Sequence, residues 1–211
     1  MLWIIPDIVV SYLLGSIPTA YIIGRLLKGI DIRKAGSGNV GATNALRVLG
    51  KGPGIAVLFI DILKGFLAVT ILGNPMAPKT SYISDEMLRI ALGVSCICGH
   101  NWTVFLRFKG GKGIATTFGV LLGLSLKIVS LKFILGLVIL TWLLIFVILR
   151  IVSVASVLSG IALPIYAIIF KLSHTLVSLS LLLCFFIILR HKTNLIRVFQ
   201  GKEPRFTFGK Y

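Results

Sequence analysis

The fold class of this chain follows from residues 132–149, KFILGLVILTWLLIFVIL. This run is apolar on every face of a helix, and it is close to the roughly 20 residues that cross a bilayer core. A transmembrane barrel strand would instead alternate apolar and polar residues. The rest of the chain has the same character, because it is 57% hydrophobic and only 13% charged, with a mean hydropathy of +1.02. The sequence therefore predicts an all-α, polytopic integral membrane protein.

Apolar runs of this kind predict seven transmembrane helices, with six as the alternative count. We place the seven at 3–27, 54–73, 87–106, 114–127, 132–149, 151–172 and 175–190. The fourth is short and contains glycine, so we expect it to be tilted or to cross the bilayer only in part. Because 211 residues leave almost no chain for an extramembrane domain, we expect one transmembrane domain over residues 1–211. The first run lacks the basic start and the small-residue cleavage site of a signal peptide, so we expect no cleavage there.

The basic residues indicate the orientation of the chain. There are 22 lysines and arginines against 6 acids, which gives a formal net charge of +16. Most of them lie in the first, third and fifth connections and in the C-terminal tail, so the positive-inside rule places the N-terminus outside and the C-terminus in the cytoplasm. The cytoplasmic polar segments are then residues 28–53, 107–116, 150–156 and 190–211. In so apolar a chain, this charge favours anionic lipid headgroups and anionic substrates over nucleic acid.

The first polar segment contains AGSGNVGATNALR, residues 35–47, which includes the pattern G-x-G-x-x-G. A dinucleotide-binding fold would need a buried strand before this pattern, but a membrane helix and a basic loop precede it. Glycine-rich backbone can still fold its N–H groups around an anion, and an arginine adds a two-pronged donor for phosphate. The alternative is a flexible polar loop that re-enters the bundle. The candidate ligands are Gly36, Ser37, Gly38, Asn39, Gly41, Thr43, Asn44 and Arg47.

The second polar segment contains KGGKG, residues 109–113, just before a predicted helix start. The N-terminus of a helix and free glycine N–H groups both favour an anion. It is not a P-loop, because Lys112 is followed by Gly113 rather than by serine or threonine. Taken alone KGGKG is weak evidence, but a second basic glycine loop on the same predicted side is stronger. The candidate ligands are Lys109, Gly110, Gly111, Lys112 and Gly113.

Two further segments complete the predicted site. RIVSVAS, residues 150–156, offers Ser153 and Ser156, which share a helix face; the alternative is small-residue packing between membrane helices. RHKTNLIRVFQGKEPRF, residues 190–206, offers His191, Asn194 and Glu203; the alternative is a basic tail that binds lipid headgroups.

The four segments are predicted to meet on one side of a small helical bundle. Two basic glycine loops suit one doubly phosphorylated substrate or two phosphorylated substrates, at least one of them soluble in lipid. No metal or other cofactor is expected, because no motif groups histidine, cysteine or carboxylate ligands. Cys96, Cys98 and Cys184 lie inside apolar runs and are interpreted as small core residues.

The segments 36–47 and 99–116, together with the pattern H-x-x-N-x-x-R-x-x-x-G-x-E from His191 to Glu203, resemble the motifs of a known family. This is the family of bacterial acyl-phosphate-dependent glycerol-3-phosphate acyltransferases, the integral membrane PlsY family. The resemblance covers nearly the whole chain, in order, with a matching helix count. It departs at Thr103, where the family usually has proline, and this concerns the stiffness of the second loop rather than its phosphate ligands.

The resemblance implies that a fatty acyl group passes from long-chain acyl phosphate to the 1-hydroxyl of glycerol 3-phosphate. The products are 1-acylglycerol 3-phosphate (lysophosphatidic acid) and inorganic phosphate, in the first acylation of bacterial phospholipid synthesis. It also implies a multi-pass protein of the bacterial inner membrane with its active site on the cytoplasmic side. We expect a monomer, because one chain supplies every motif. The active-site residues implied are Ser37, Arg47, Lys112 with the glycines around it, Ser156, His191 and Asn194, with Glu203 matching the motif.

The chemistry leaves the general base open. An acyl phosphate is already activated, so we expect no covalent enzyme intermediate, and the protein must supply positioning and charge stabilisation. Under one hypothesis a substrate phosphate oxygen accepts the hydroxyl proton while His191 and Asn194 orient glycerol 3-phosphate. Under the other, His191 is the base. For His100 we favour a packing role over a ligand role, and we interpret Asp61 and Lys64 as a structural ion pair within a span.

Two other classes of protein are considered. A transporter of a phosphorylated solute would also use basic glycine loops and broken helices, but it should show an internal repeat, and none is convincing. A membrane regulator that binds acidic lipid would need the basic residues but not two glycine loops.

Overall fold

The computed structural model describes residues 4–73 and 83–206, and every regular element in these ranges is helical. This confirms the predicted all-α class. Two short 3-10 helices, Ile32–Lys34 and Val104–Leu106, lie in loops. The α-helices described are α1 (Ile4–Ser16), α2 (Thr19–Lys28), α3 (Ala42–Leu49), α4 (Lys51–Thr70), α5 (Asp85–Asn101), α6 (Ile114–Ser125), α7 (Val129–Leu149), α8 (Val152–Ile169), α9 (His174–Arg190) and α10 (Lys192–Phe199).

The described helices support a membrane protein by their length and composition. Four stretches are long and apolar enough to cross a bilayer: Ile4–Lys28, Lys51–Thr70, Val129–Leu149 and Val152–Ile169. A fifth qualifies if α9 and α10, which are bent by 59° at their junction, count as one span. Helix α5 has 17 residues and α6 has 12, so both are shorter than a full crossing. The count of seven spans and the sides of the two termini therefore stay predictions.

Every predicted helix differs from the observed one by some residues, and two differences are large. The first predicted helix is broken between Ser16 and Thr19, because Pro18 has no N–H with which to continue the ladder. The predicted helix 87–106 ends at Asn101, and a 3-10 turn follows in which the Thr103 side chain accepts the N–H of Phe105. The short helices α3 and α10 were not predicted, because they are eight-residue polar segments between longer apolar ones.

The chain forms two compact units, one up to Leu124 and one from Ser125. In the first unit, α1 lies against α5 at very short range. A Cβ at Gly15 would overlap the backbone of Cys96, and a Cβ at Gly99 would overlap the backbone of Tyr12. Small residues at such crossings are typical of membrane helices, whose backbones approach closely.

Helix α6 packs against α4 in the same way. A Cβ at Gly65 would overlap the carbonyl of Thr116, and a Cβ at Gly119 would overlap the carbonyl of Ile62. The start of α6, which follows the second glycine loop, is thereby held against a long helix.

A buried ion pair lies inside the first unit. The Nζ of Lys64 is 2.9 Å from the Oδ1 of Asp61, and the two residues are 4% and 1% exposed. The hydroxyl of Thr19 donates to the same Oδ1 at 3.0 Å, and the Lys64 ammonium donates to the carbonyl of Ile17 at 3.3 Å. The predicted pair is therefore confirmed, and it also satisfies a backbone carbonyl at the break between α1 and α2.

In the second unit, α8 packs between α7 and α9. The indole of Trp142 on α7 donates to the Ser156 hydroxyl on α8 at 3.2 Å. The hydroxyls of Thr141 and Tyr166 are 2.8 Å apart and join the same two helices near the C-terminal end of α8. These contacts fix the face of α8 that carries the two predicted serines.

Candidate active site

Asn44 is the central residue of the first glycine loop, residues 35–47. Its side chain is buried, and its Oδ1 accepts the Ser37 N–H at 2.8 Å. Its Nδ2 lies 2.9 to 3.3 Å from the carbonyl oxygens of Asn39, Ala35 and Ile32. Each polar atom of the amide is thus used within the loop. The Asn44 side chain therefore holds the shape of the loop, and the substrate-binding role predicted for it stays a prediction.

Each glycine of this loop is required by a different feature of the local structure. Gly36 and Gly38 have φ angles of 60° and 73°, a region that favours glycine. A Cβ at Gly36 would also overlap the Asn44 side chain, and the Gly38 N–H donates to the carbonyl of Ala35 at 3.0 Å. Gly41 precedes α3, and its carbonyl accepts the N–H groups of Asn44 and Ala45 in the first turn of that helix. The N–H of Gly38 is used within the loop, and the part of Gly38 in binding an anion stays a prediction.

Arg47 is the cation at the end of this loop. It lies on α3, one turn after Asn44, and is half-buried. Its Nε is buried and has no hydrogen-bond partner in residues 4–73 and 83–206. Leaving a buried charged donor unpaired is costly. The position is explained if an acceptor comes from outside the chain, and phosphate is the acceptor that a guanidinium fork suits.

The acid that precedes Arg47 in the same polar segment, Asp31, does not pair with it. The carboxylate of Asp31 is 2.7 Å from the Arg33 guanidinium and 3.8 Å from that of Arg25. The hydrogen bond from Arg33 lowers the pKa of Asp31 to about 2, so this side chain stays ionised and paired. Arg33 also lies 5.0 Å from the centre of the Tyr21 ring.

The second glycine loop, residues 107–113, folds back onto the end of α5. The N–H groups of Gly110 and Gly111 donate to the carbonyls of Asn101 and His100 at 3.2 and 2.9 Å. A Cβ at Gly111 would overlap the His100 ring, and Gly113 has a φ angle of 77°. Both N–H groups are thus used to close the loop, and the part of Gly110 and Gly111 in binding an anion stays a prediction.

The start of α6, directly after the second loop, also carries groups that suit an anion. The first N–H groups of a helix have no partner within it, and this end carries partial positive charge. Lys112 stands two residues before Ile114, the first residue of α6, and is half-buried, while Lys109 is exposed. In the first turn, Thr116 is fully buried and its Oγ1 has no hydrogen-bond partner in the described residues.

The structure brings the two glycine loops together within the first unit. Leu106, next to the second loop, is buried in one cluster with Ile32, Val40 and Ala45 of the first. His100 lies beneath the second loop, 7% exposed, with its Nδ1 3.8 Å from the Asp61 carboxylate. This packing agrees with the structural role favoured for His100.

In the second unit, the Glu203 carboxylate links the polar segments 150–156 and 190–211 by hydrogen bonds. It accepts hydrogen bonds from the Ser153 hydroxyl at 2.7 Å, the Asn194 amide at 2.5 Å and the Arg197 guanidinium at 2.9 Å. Burial raises the pKa of Glu203, but these three donors outweigh it, and the net pKa lies below the ordinary value. We call Ser153, Asn194, Arg197 and Glu203 the polar cluster. Glu203 thus holds Asn194 in place.

His191 is buried at the junction of α9 and α10. Its Nδ1 is 2.8 Å from the carbonyl oxygen of Ile187, which can only accept, so Nδ1 carries a proton. In the neutral ring, Nε2 is then the basic nitrogen. Ser156 is 2% exposed, and its hydroxyl accepts from Trp142. The Ser156 hydroxyl therefore contacts the protein, and its part in substrate binding stays a prediction.

Sequence reasoning missed two residues of the first unit and one of the second. Asn101 is 1% exposed, and its Oδ1, like the Thr116 hydroxyl, has no partner in the part of the chain described. The polar triplet GHN at the end of an apolar run was the signal for Asn101. Trp142 gave no signal, because tryptophan is common in membrane helices.

Comparison with known proteins identifies the family. The family model described as glycerol-3-phosphate acyltransferase matches residues 5–201. A glycerol-3-phosphate acyltransferase of Prochlorococcus marinus is 43% identical over 203 residues, covering 94% of this chain and 92% of the relative. One of Staphylococcus haemolyticus is 39% identical, covering 96% and 97%.

Solved structures agree with this. The crystal structure of PlsY, an integral membrane glycerol 3-phosphate acyltransferase, in its glycerol 3-phosphate form has a TM-score of 0.83 and is 36% identical, over 97% of this chain and 96% of that one. The lysophosphatidic acid form has a TM-score of 0.80 and is 35% identical, over 97% and 95%. This chain, with its apolar helices and its two glycine loops, therefore belongs to the family of integral membrane glycerol-3-phosphate acyltransferases.

Proposed function

We propose that this chain transfers a long-chain fatty acyl group from acyl phosphate to the 1-hydroxyl of glycerol 3-phosphate, releasing lysophosphatidic acid and inorganic phosphate. The observation that carries the proposal is Arg47 at the end of the first glycine loop, whose buried Nε has no acceptor in the described residues. The solved relatives support it, because PlsY is known in a glycerol 3-phosphate form and a lysophosphatidic acid form. These two molecules differ by one acyl group.

The reaction requires one substitution at the acyl carbon. The 1-hydroxyl oxygen attacks this carbon, the bond between the carbon and the phosphate oxygen breaks, and the hydroxyl proton passes to an acceptor. The leaving phosphate gains charge as the bond breaks, so donors aimed at it stabilise the transition state. No covalent bond to the protein is needed.

The first unit supplies groups suited to phosphate. We propose that Arg47, Lys112 and the first N–H groups of α6 bind the phosphates, and that the exposed Ser37 hydroxyl adds a neutral donor. Removing one such donor in other enzymes costs about 10²- to 10³-fold in rate. Arg47 offers two parallel N–H groups and Lys112 a single ammonium, so Arg47 is the stronger candidate for a fixed phosphate geometry.

The second unit supplies groups suited to the acceptor substrate. We propose that Asn194, held by Glu203, and His191 orient glycerol 3-phosphate. Two hypotheses for the proton acceptor remain: a phosphate oxygen of the substrate, or Nε2 of His191. Glutamine at position 191 keeps polarity without basicity, so it separates them. A residual rate within about tenfold of the parent, about 1.4 kcal/mol, would exclude His191 as an obligatory base.

The test is release of phosphate by the detergent-purified protein given palmitoyl phosphate and glycerol 3-phosphate. We expect release that requires both substrates and that falls at least about 100-fold in Arg47→Ala and Lys112→Ala. Arg47→Lys, which keeps charge but loses the fork, should fall in between. The control is Lys132→Ala, because this exposed lysine begins α7 outside the four segments.

The opposite result would have a clear meaning. A folded protein that releases no phosphate would contradict the proposal and direct the next experiment to transport of a phosphorylated solute. Full release by Arg47→Ala would remove this residue from the site.

The cellular setting is part of the proposal. We propose a monomeric, single-domain protein of the bacterial inner membrane whose polar segments, 28–53, 107–116, 150–156 and 190–211, face the cytoplasm. The support is the excess of lysine and arginine in these segments. Reaction of a membrane-impermeant thiol reagent with cysteines introduced at exposed Lys34 and Lys202, only after the cytoplasmic side is opened, would test it.

A further inference from the structure

The chain reverses direction after α10 through a turn that glycine permits. Gly201 has a φ angle of 66°, and its N–H donates to the carbonyl of Val198 at 2.9 Å. The N–H of Lys202 donates to the carbonyl of Arg197 at 2.7 Å. Residues 201–206, here called the return segment, therefore run back along α10 and bring Glu203 to the polar cluster.

The far end of the return segment is fixed by Phe206. Its N–H donates to the carbonyl of Arg150, between α7 and α8, at 2.6 Å. Its ring meets the Phe146 ring edge-on, with centroids 5.6 Å apart and planes at 65°. Only two residues, Pro204 and Arg205, separate Phe206 from Glu203, and proline limits the freedom of this link. Holding Phe206 therefore restricts where the Glu203 carboxylate can lie.

The contact continues along α7. Phe146 stacks on Trp142, four residues earlier on the same helix face, with centroids 4.9 Å apart and planes at 20°. The indole N–H of Trp142 then donates to the hydroxyl of Ser156, one turn after Ser153 on α8. Phe206, Phe146 and Trp142 form one continuous row, which we call the aromatic ladder.

We propose that the aromatic ladder is a positioning device for the polar cluster: Phe206 holds the return segment so that Glu203 keeps Asn194 and Ser153 in place, and Trp142 orients Ser156. The ladder residues act through these polar side chains. This inference rests on the proposed acyl transfer, because it assigns the positioned groups to the glycerol 3-phosphate side of that reaction.

The same unit contains a matched control. Phe133 and Phe170 also form an edge-on ring pair, with centroids 5.1 Å apart and planes at 82°. Phe133 lies near the start of α7, whereas Phe146 lies near its end, so this pair is at the other end of the helix from the aromatic ladder. Phe170→Ala therefore removes a pair of the same kind and serves as the control for Phe206→Ala.

The experiment compares Phe206→Ala, Phe206→Leu, Trp142→Phe and Phe170→Ala with the parent. Phe206→Ala removes one edge-on ring pair, so we expect it to raise the KM for glycerol 3-phosphate by about two- to tenfold. The KM for acyl phosphate should stay unchanged. Phe206→Leu should recover part of the effect. Trp142→Phe, which keeps a smaller aromatic ring and removes the N–H, should raise the same KM about threefold.

A second readout does not depend on activity. Hydrogen exchange of peptides covering residues 191–206 should become at least about tenfold faster in Phe206→Ala and stay at the parent rate in Phe170→Ala. Parent-like exchange and parent-like KM in Phe206→Ala would overturn the proposal. So would an equal rise of the KM in Phe170→Ala.

These readouts separate the two ideas. If the parent enzyme transfers no acyl group, the proposed function fails, while the exchange measurement still decides whether the ladder holds the return segment. If Phe206→Ala fails to fold, Trp142→Phe decides the case, because it keeps an aromatic side chain beside Phe146 and is expected to fold.

Discussion

Replacing Asn44 distinguishes a residue that shapes the first glycine loop from one that binds substrate. Asn44→Ala removes one accepted hydrogen bond, from the Ser37 N–H, and two donated ones, shared among three carbonyls. A net contribution of about 1 kcal/mol each amounts to about 3 kcal/mol, which is more than a hundredfold in the equilibrium between the closed and open loop. The loop should therefore open measurably before any substrate is added.

The assay is hydrogen exchange of the substrate-free protein, followed at the Ser37 N–H and over residues 32–44. We expect exchange to become about 100-fold faster in Asn44→Ala. Asn44→Asp should be no better, although it is closer in size, because it places a carboxylate oxygen where the amide faces the carbonyls of Ala35 and Asn39. The neighbouring Thr43→Ala should exchange like the parent. Parent-like exchange in Asn44→Ala, combined with a raised KM, would refute the reasoning and favour a substrate-binding role for Asn44.

Three further predictions concern packing and charge. Gly111→Ala should lower activity at least about tenfold, because the new methyl would overlap the His100 ring; parent-like phosphate release would show that the loop tolerates it. The hydrogen-bond donors around Glu203 lower its pKa, so its contribution to stability is present above the ordinary glutamate pKa and is lost as the pH falls through the pKa of the folded state. In Glu203→Gln, the unfolding temperature should therefore depend less on pH over that acidic range. An unchanged dependence on pH would contradict this. Asp61→Asn should lower the free energy of unfolding by about 3–5 kcal/mol, because it leaves the Lys64 ammonium buried without its counter-ion. The double variant Asp61→Asn with Lys64→Met should recover most of this loss. Activity per folded molecule should stay near that of the parent.

The long helices could be predicted from the sequence because each is a continuous apolar run. The end of α5 could not, because it depends on tertiary contacts: the Thr103 hydroxyl donates to the carbonyl of Ser16 at 2.5 Å, in a different helix. Short helices such as α3 carry too few apolar residues to separate from a loop. Pro18 was visible, but an apolar run on both sides concealed the break.

The candidate site could be predicted as a set of segments but not as a set of roles. Glycine, asparagine and arginine in one loop suggest phosphate binding, yet the sequence cannot show which polar atoms the loop uses itself. Asn44 and the N–H groups of Gly110 and Gly111 were assigned to substrate for this reason, and their partners lie within the protein. Arg47 lies in the same kind of glycine-rich motif, but its Nε has no partner in the described residues. The difference between these residues is a matter of three-dimensional packing.

The position of the buried charges has a consequence for how the protein is made. Lys64 pairs with Asp61 three residues earlier on α4, and Arg89 pairs with Asp85 four residues earlier on α5. Each cation therefore carries its counter-ion on its own helix, and the pair can form as soon as that helix has formed. A charge that arrived unpaired at the bilayer centre would cost several kcal/mol until a neighbouring helix followed it. If α4 and α5 both cross the bilayer as predicted, we expect them to insert one at a time, in the order of synthesis, because neither needs the other for its counter-ion.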